Sequence, residues 1–163
     1  MESVFDVAQY IVNKYKSISG QAIDAMKLQK LLYYSQRESI AIVGEPMFEA
    51  TFEGWKFGPV CRSVWNAYTE DNPDFHCPDI SFDSAYIVNN VIQQYGIIES
   101  WVLSKMSHRE ISWRNARKGL RADENGTTPL LMSDIRIDAE KVRPYDYLYD
   151  MYYDEFETVE CAN

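Results

Sequence analysis

The sequence predicts a compact, mainly helical (α+β) domain with a small β-hairpin or sheet and a C-terminal acidic amphipathic helix. Three observations carry this. Apolar residues recur at helical spacing in several separate stretches, and capping residues or glycines punctuate them. A single run bounded by Gly and Pro, PMFEATFEGWKFGPV at 46–60, alternates in the manner of a strand. At 163 residues the chain is one domain's worth. Residues 1–122 are expected to form the helical domain, and 123–163 an acidic extension packed on it or projecting from it.

The first helix is expected to open at Ser3 with Asp6 completing a capping-box-like pair, and to end at Ser19-Gly20. Val4, Val7, Ala8, Ile11, Val12 and Tyr15 share one face. The second helix runs from about Asp24 to Val43 and is closed by Gly44. Its apolar stripe is Leu28, Leu31, Leu32, Ser35, Ser39, Ile42 and Val43, and the small serines suggest a close neighbour. Lys27, Lys30, Tyr34 and Arg37 are the positions left to face water or a partner. One or two short strands follow around Phe52, Trp55 and Phe57. Gly58-Pro59 then reads as a joint, with the proline at the first position of a third helix carrying Val64 and Tyr68. Residues 70–80 read as loop. A fourth helix opens at Asp83 or Ser84 and stops at Gly96, and a fifth starts near Glu99. Ser107-His108-Arg109-Glu110 has the form of a capping box leading into a short helix through Trp113 and Ala116. Leu130–Ile137 reads as a further short strand. After Pro144, Tyr145, Leu148, Tyr149, Tyr152, Phe156 and Val159 recur at helical spacing, opposite Asp146, Asp150, Asp154 and Glu157.

The net charge of −9 is unevenly spread. Residues 1–122 hold 13 Lys/Arg against 14 Asp/Glu, whereas 123–163 hold 3 against 11. An acidic end does not suit a phosphate backbone, so direct nucleic-acid binding is not expected. It suits a basic protein partner, or mimicry of a polyanion. No apolar run approaches the length of a membrane span, and the N-terminus lacks the character of a signal peptide. Three widely spaced cysteines do not make a disulfide framework, so a cytoplasmic protein is expected.

Motif chemistry is sparse. Nucleotide-binding, P-loop, nucleophile-elbow and paired-histidine zinc patterns are missing from the sequence. Cys61, His76 and Cys77 lack zinc-module spacing, so no metal or cofactor is expected. His108 could serve as a general base, but no nucleophile or second acid accompanies it, and a local hydrogen-bonding role is preferred. Trp55, Trp65, Trp101 and Trp113 could stack bases; core packing is the preferred reading. The six basic residues between Lys105 and Arg121 read as a solvated face. No catalytic residue is assigned.

Three segments in order, KLQKLLYYSQ at 27–36, FEGWKFGPV at 52–60, and Tyr95-Gly96 followed by Leu103-Ser104 and Ser107-His108…Trp113…Ala116-Arg117, resemble one family. They look like the Panacea antitoxin-domain proteins, the SocA- and GepA-like group found in phages and mobile elements. The similarity runs from the first helix to about residue 120. Ser107 stands where threonine is usual, and Ser112 where a proline commonly precedes the tryptophan. The segment 145–160 lies outside the family pattern. The resemblance implies a mainly helical domain that neutralises a toxin by binding it, or in one branch hands it to a protease, without catalysis. Lys27, Lys56, His108 and Arg117 are the matching polar positions expected nearest a functional surface. With Lys30, Tyr34 and Arg37 they form the expected partner-binding set. The alternative is an anti-CRISPR-type inhibitor of a host nuclease, acting through Asp146, Asp150, Asp154 and Glu157.

Overall fold

A computed structural model describes residues 1–142. The expected acidic helix, with Asp146, Asp150, Asp154 and Glu157, lies outside the described residues. Among those described, seven helices and one hairpin follow in order: α1 (Val4–Ser19), α2 (Ala25–Val43), β1 (Glu53–Trp55), β2 (Gly58–Val60), α3 (Arg62–Ala67), α4 (Phe82–Tyr95), α5 (Ser100–Ser107), α6 (Ile111–Ala116) and α7 (Met132–Glu140). The protein is therefore mainly helical with a small antiparallel sheet, as the sequence predicts.

α2 is the axis of the fold. Asp24 accepts a hydrogen bond from the Lys27 amide at its start, and Gly44 closes it in the left-handed conformation at φ +85°. Every residue from Lys27 to Ile40 is buried. α1, α4, α5, α7 and the hairpin pack around it. Leu28, Leu31 and Leu32 meet the core formed with Val7, Ile11, Val88, Val91 and Leu103, all essentially inaccessible. Each fully buried aliphatic side chain contributes about 1.5–3 kcal/mol. The expected stripe frays at its end, where Val43 is 59% exposed.

Polar side chains of α2 reach out and fix the surrounding segments. Gln36 accepts from the amides of Met47 and Phe48 and donates to the Phe48 carbonyl. Gln29 accepts from the Cys61 amide at 2.8 Å, and Lys27 Nζ donates to the Gly96 carbonyl at 2.8 Å. Lys30 Nζ donates to the Pro59 carbonyl at 3.1 Å. Such bonds satisfy backbone groups that the short strands and loops leave unpaired.

The hairpin pairs Glu53 with Val60, Gly54 with Pro59 and Trp55 with Gly58. Pro59 thus lies in β2 rather than at the first position of α3, which starts at Arg62 after Cys61. A two-stranded hairpin has only edges, so the missing N–H is tolerated. Two expected capping boxes are not made. Asp6 pairs with His76 Nε2 at 2.7 Å and accepts from the Asp79 amide, tying α1 to the 70–80 loop. Ser107 closes α5 and donates to the Ser104 carbonyl, while Glu110 serves as the N-cap residue of α6 without a side-chain cap bond. The Leu130–Ile137 strand is replaced by a helix. Only the Leu130 amide, donating to the Phe52 carbonyl, retains strand-like pairing, and Ile135, Asp138 and Ala139 turn one face of α7 inward. Through α7, residues 123–142 pack against α2 and α6.

Gly58 sits where α2, the hairpin and α5 converge, with φ +114°. A Cβ there would overlap Ser107 Oγ and lie 2.5 Å from Lys30 Cε. Gly58→Ala should therefore cost at least about 2 kcal/mol, combining overpacking with backbone strain. Gly119 also has positive φ, but a Cβ there would meet nothing within 4 Å. Gly119→Ala should cost only about 1–2 kcal/mol, from strain alone. Chemical denaturation of the two variants checks the order; equal losses would contradict the steric account.

Candidate interaction site

Sequence reasoning left Lys27, Lys30, Tyr34 and Arg37 facing outward. The structure puts all four inside, at 7%, 1%, 1% and 8% exposure. The reason is reach: a long amphipathic side chain can cross a core and end on a carbonyl or carboxylate, so a polar helical strip need not be a wet one. Arg117 is also buried, donating to the carbonyls of Gly54, Arg121 and Glu124. Lys56 and His108 are half-buried.

Arg37 anchors a buried polar cluster. Its Nη1 lies 2.5 Å from Glu110 Oε1, its Nη2 donates to Tyr95 Oη, and its guanidinium lies over the Tyr34 ring at 4.6 Å. Tyr33 Oη meets Ser112 Oγ at 2.8 Å and donates to Asp138 Oδ2 at 3.1 Å. Asp138 also accepts from the amides of Ile111 and Ser112, capping α6 from a distant helix. Ser112, at the position where the resemblance suggests proline, supplies an N–H that proline lacks. Burial works against the Arg37 charge, yet Glu110 and the surrounding tyrosines hold its pKa above the ordinary value. Burial pushes Glu110 up despite Arg37, aided by the nearby Asp138 charge. Glu38, 1% exposed, is pushed up to about 7 by burial, with Arg37 working the other way.

The second cluster lies beneath the hairpin. Burial lowers Lys30 to about 7, with Asp24 opposing. His108 stacks on Trp113 at 4.1 Å with the rings 7° from parallel. Its pKa is lowered by burial and by the charges of Lys30 and Arg117, while a hydrogen bond to the Lys56 backbone opposes. Its Nε2 is buried without a hydrogen-bond partner among the described residues. The geometry stacks the ring against Trp113.

One exposed patch is aromatic and basic. Phe57 at the hairpin tip is 53% exposed, and Trp101 on α5 is 60% exposed. Lys56 Nζ stands 5.2 Å from the Phe57 ring centre, and Lys105 Nζ 5.0 Å from that of Trp101. Ser104 Oγ donates to the Phe57 carbonyl at 2.7 Å, joining the tip to α5 on the turn that carries Trp101 and Lys105. Trp65 is 37% exposed beside half-buried Trp55, so the expected core packing is corrected for Trp55, Trp65 and Trp101, while Trp113 does pack against the core. Lys105 is exposed, as its place in the basic run suggests, but neither it nor Phe57 was among the expected partner-binding residues; the i, i+4 pair Trp101–Lys105 was the available signal. Cys61 is buried and hydrogen-bonds with Ser63, while His76 is engaged by Asp6.

Two clefts flank α2. One, of about 900 Å³, is bordered by Lys14, Tyr15, Ile18, Lys27, Gly96 and Ile97. The other, of about 410 Å³, lies over Arg37 and Glu110 and is bordered by Gln94, Tyr95, Arg109 and Lys141. Among the described residues, no helix is long and apolar enough to cross a membrane.

The family profile described as Antitoxin SocA-like, Panacea domain, matches residues 28–114, more than half of the chain. A curated relative, Antitoxin SocA of Caulobacter vibrioides (strain NA1000 / CB15N), is 32% identical over 72 residues, 44% of this chain. The alignment spans 32% of that relative's length, about a third of it. No solved structure matches.

Two outcomes test the buried clusters. Glu110→Gln removes the short ion pair of buried Arg37, leaving only the looser contact with Glu38 at 3.8 Å, and should cost about 3 kcal/mol in denaturation. The double variant Arg37→Met/Glu110→Leu should recover part of that loss. Lys30 is held below its unfolded value, so the unfolded chain binds more protons between about 7 and 10.5. Stability should therefore rise with pH from about 7 toward 10, and Lys30→Met should flatten the rise. A titration of unfolding free energy in both proteins reads this directly.

Proposed function

Because this chain belongs to the SocA-like Panacea antitoxin-domain family, we propose that it is an antitoxin that neutralises a protein toxin by direct binding, without catalysis. The observation that carries the reading is the family match over 28–114, from within α2 almost to the end of α6. The name of the curated relative, Antitoxin SocA, agrees with it. The burial of Lys30 and the stacked, neutral His108 support binding over catalysis, since neither is presented to a substrate with a partner for proton transfer.

Of the seven residues expected to contact the partner, Lys56 lies at the aromatic and basic face. We assign toxin contact to that face, formed by Lys56, Phe57, Trp101 and Lys105. Exposed aromatic rings bury large apolar area at small entropic cost, and each carries a cation able to pair with a carboxylate across an interface. Lys27, Lys30, Tyr34, Arg37 and Arg117 act as the supports that hold the hairpin and α5 in place, and His108 packs between them. The polyanion-mimic alternative rests on residues outside the described part and is favoured by no observation.

Co-expression with reading frames adjoining the gene tests the reading. One of them should arrest growth alone, and the intact chain should relieve the arrest and co-purify with its product. Phe57→Ala/Trp101→Ala should weaken that complex at least about tenfold, close to 1.4 kcal/mol, with the thermal midpoint little changed because both rings are exposed. Relief of toxicity without a complex would contradict direct binding. An unaltered affinity in the double variant would move the contact elsewhere.

A further inference from the structure

The basic run from Lys105 to Arg121 reads in the sequence as one solvated face, and the structure divides it. Arg117 is buried on backbone carbonyls, and Arg121 pairs with Asp123 and Glu124. Lys105, Arg109, Arg114 and Lys118 are exposed and have no ion-pair partner among the described residues. Lys56 at the hairpin tip has none among them either. The neighbouring carboxylates are taken or turned elsewhere. Glu53 accepts from Arg62 and Trp55, Glu110 is held by Arg37, and Glu99 borders the cleft beside α1. β2 packs on α5 and β1 on α6, so the hairpin and these two helices form one contiguous side. A chain of net charge −9 thus gathers uncompensated positive charge on the side that exposes Phe57 and Trp101.

Resting on the assignment of toxin contact to this face, we propose that what it receives is an acidic protein segment. Carboxylates of that segment pair with Lys56 and Lys105, and its apolar side chains cover Phe57 and Trp101. Both ammonium groups already stand over rings, 5.2 and 5.0 Å from the ring centres, so an arriving carboxylate meets restrained cations. Pairs at such a rim add little affinity. Their effect is on selection, because a basic surface of the same shape meets repulsion there. Arg109, Arg114 and Lys118 add to the local potential and speed the approach of an acidic partner. Exposed rings beside cations also suit single-stranded nucleic acid. The net charge of −9 opposes a polyanion at long range, whereas a short acidic segment carries few charges and incurs little of that repulsion.

The test is heteronuclear NMR of the full chain titrated with three probes. One is a synthetic amphipathic peptide of Glu and Leu, about four helical turns long. The second has Lys for every Glu, and the third is a single-stranded oligothymidine of about ten nucleotides. The Glu peptide should shift the Phe57 amide, the Trp101 indole and the Lys56 and Lys105 side-chain signals. It should bind at least about tenfold more tightly than the Lys peptide, and at least about fivefold more weakly at about 500 mM than at about 20 mM salt. Lys56→Glu/Lys105→Glu should reverse the preference, whereas Lys16→Glu, exposed on α1, should leave it. Unchanged signals from the core certify folding of each variant. Equal binding of both peptides would show apolar contact without charge selection. Tighter binding of the oligonucleotide at the same signals would assign the face to nucleic acid. Absence of shifts at the face with the Glu peptide would remove the acidic segment from it. Each of these overturns the proposal. Growth relief and co-purification by the unaltered chain test the toxin reading separately, so the two failures are told apart.

Discussion

A buried helix with polar side chains is the constraint on which the structure depends. α2 is enclosed from Lys27 to Ile40, so Lys27, Gln29, Lys30, Tyr33, Gln36 and Arg37 must find partners inside the protein. Each does so on a surrounding segment: Gly96, Cys61, Pro59, Asp138 with Ser112, the 47–48 backbone, and Glu110 with Tyr95. The short hairpin and the loops have few backbone partners of their own. They are ordered because α2 supplies them. An apolar helix at the centre would bury as much area but specify far less about where the hairpin and α5 sit.

That arrangement links the interior to the surface. Lys30 meets the Pro59 carbonyl and leaves no room for a side chain at Gly58, and the hairpin tip then presents Phe57 beside α5. The resemblance motifs are accordingly interior elements for the most part. Their work is to position the hairpin tip and α5, on which Phe57, Trp101 and Lys105 are exposed. Exposed residues on the hairpin tip and α5 can change without disturbing the polar framework beneath them.

Helix existence was legible wherever a cap and a terminating glycine agreed. Ser3 with Gly20 and Asp24 with Gly44 bound α1 and α2 as the sequence suggests. α7 was misread because Leu131 provides no side-chain cap, and the close-set apolar residues Leu130, Leu131, Met132 and Ile135 admit either period. The capping boxes at Asp6 and Glu110 failed for another reason: distant partners, His76 and Arg37, take those carboxylates, and no local pattern encodes them. The burial of Lys27, Lys30 and Arg37 was equally illegible. A helical wheel records which residues are polar but not whether a carbonyl or carboxylate awaits them. Of the proposed interaction face, the hairpin was visible in the 46–60 run, while the exposure of its aromatic tip needed the packing against α5.

Native-state hydrogen exchange tests the central role of α2 most directly. If α2 organises the fold, its amides from Gln29 to Ser39 should exchange only through global unfolding, with the highest protection in the chain. The amides of Met47, Phe48 and Cys61, which α2 side chains hold, should open at lower free energy and never after it. Protection of α2 below that of α1 or α4, or hairpin amides outlasting those of α2, would contradict the account.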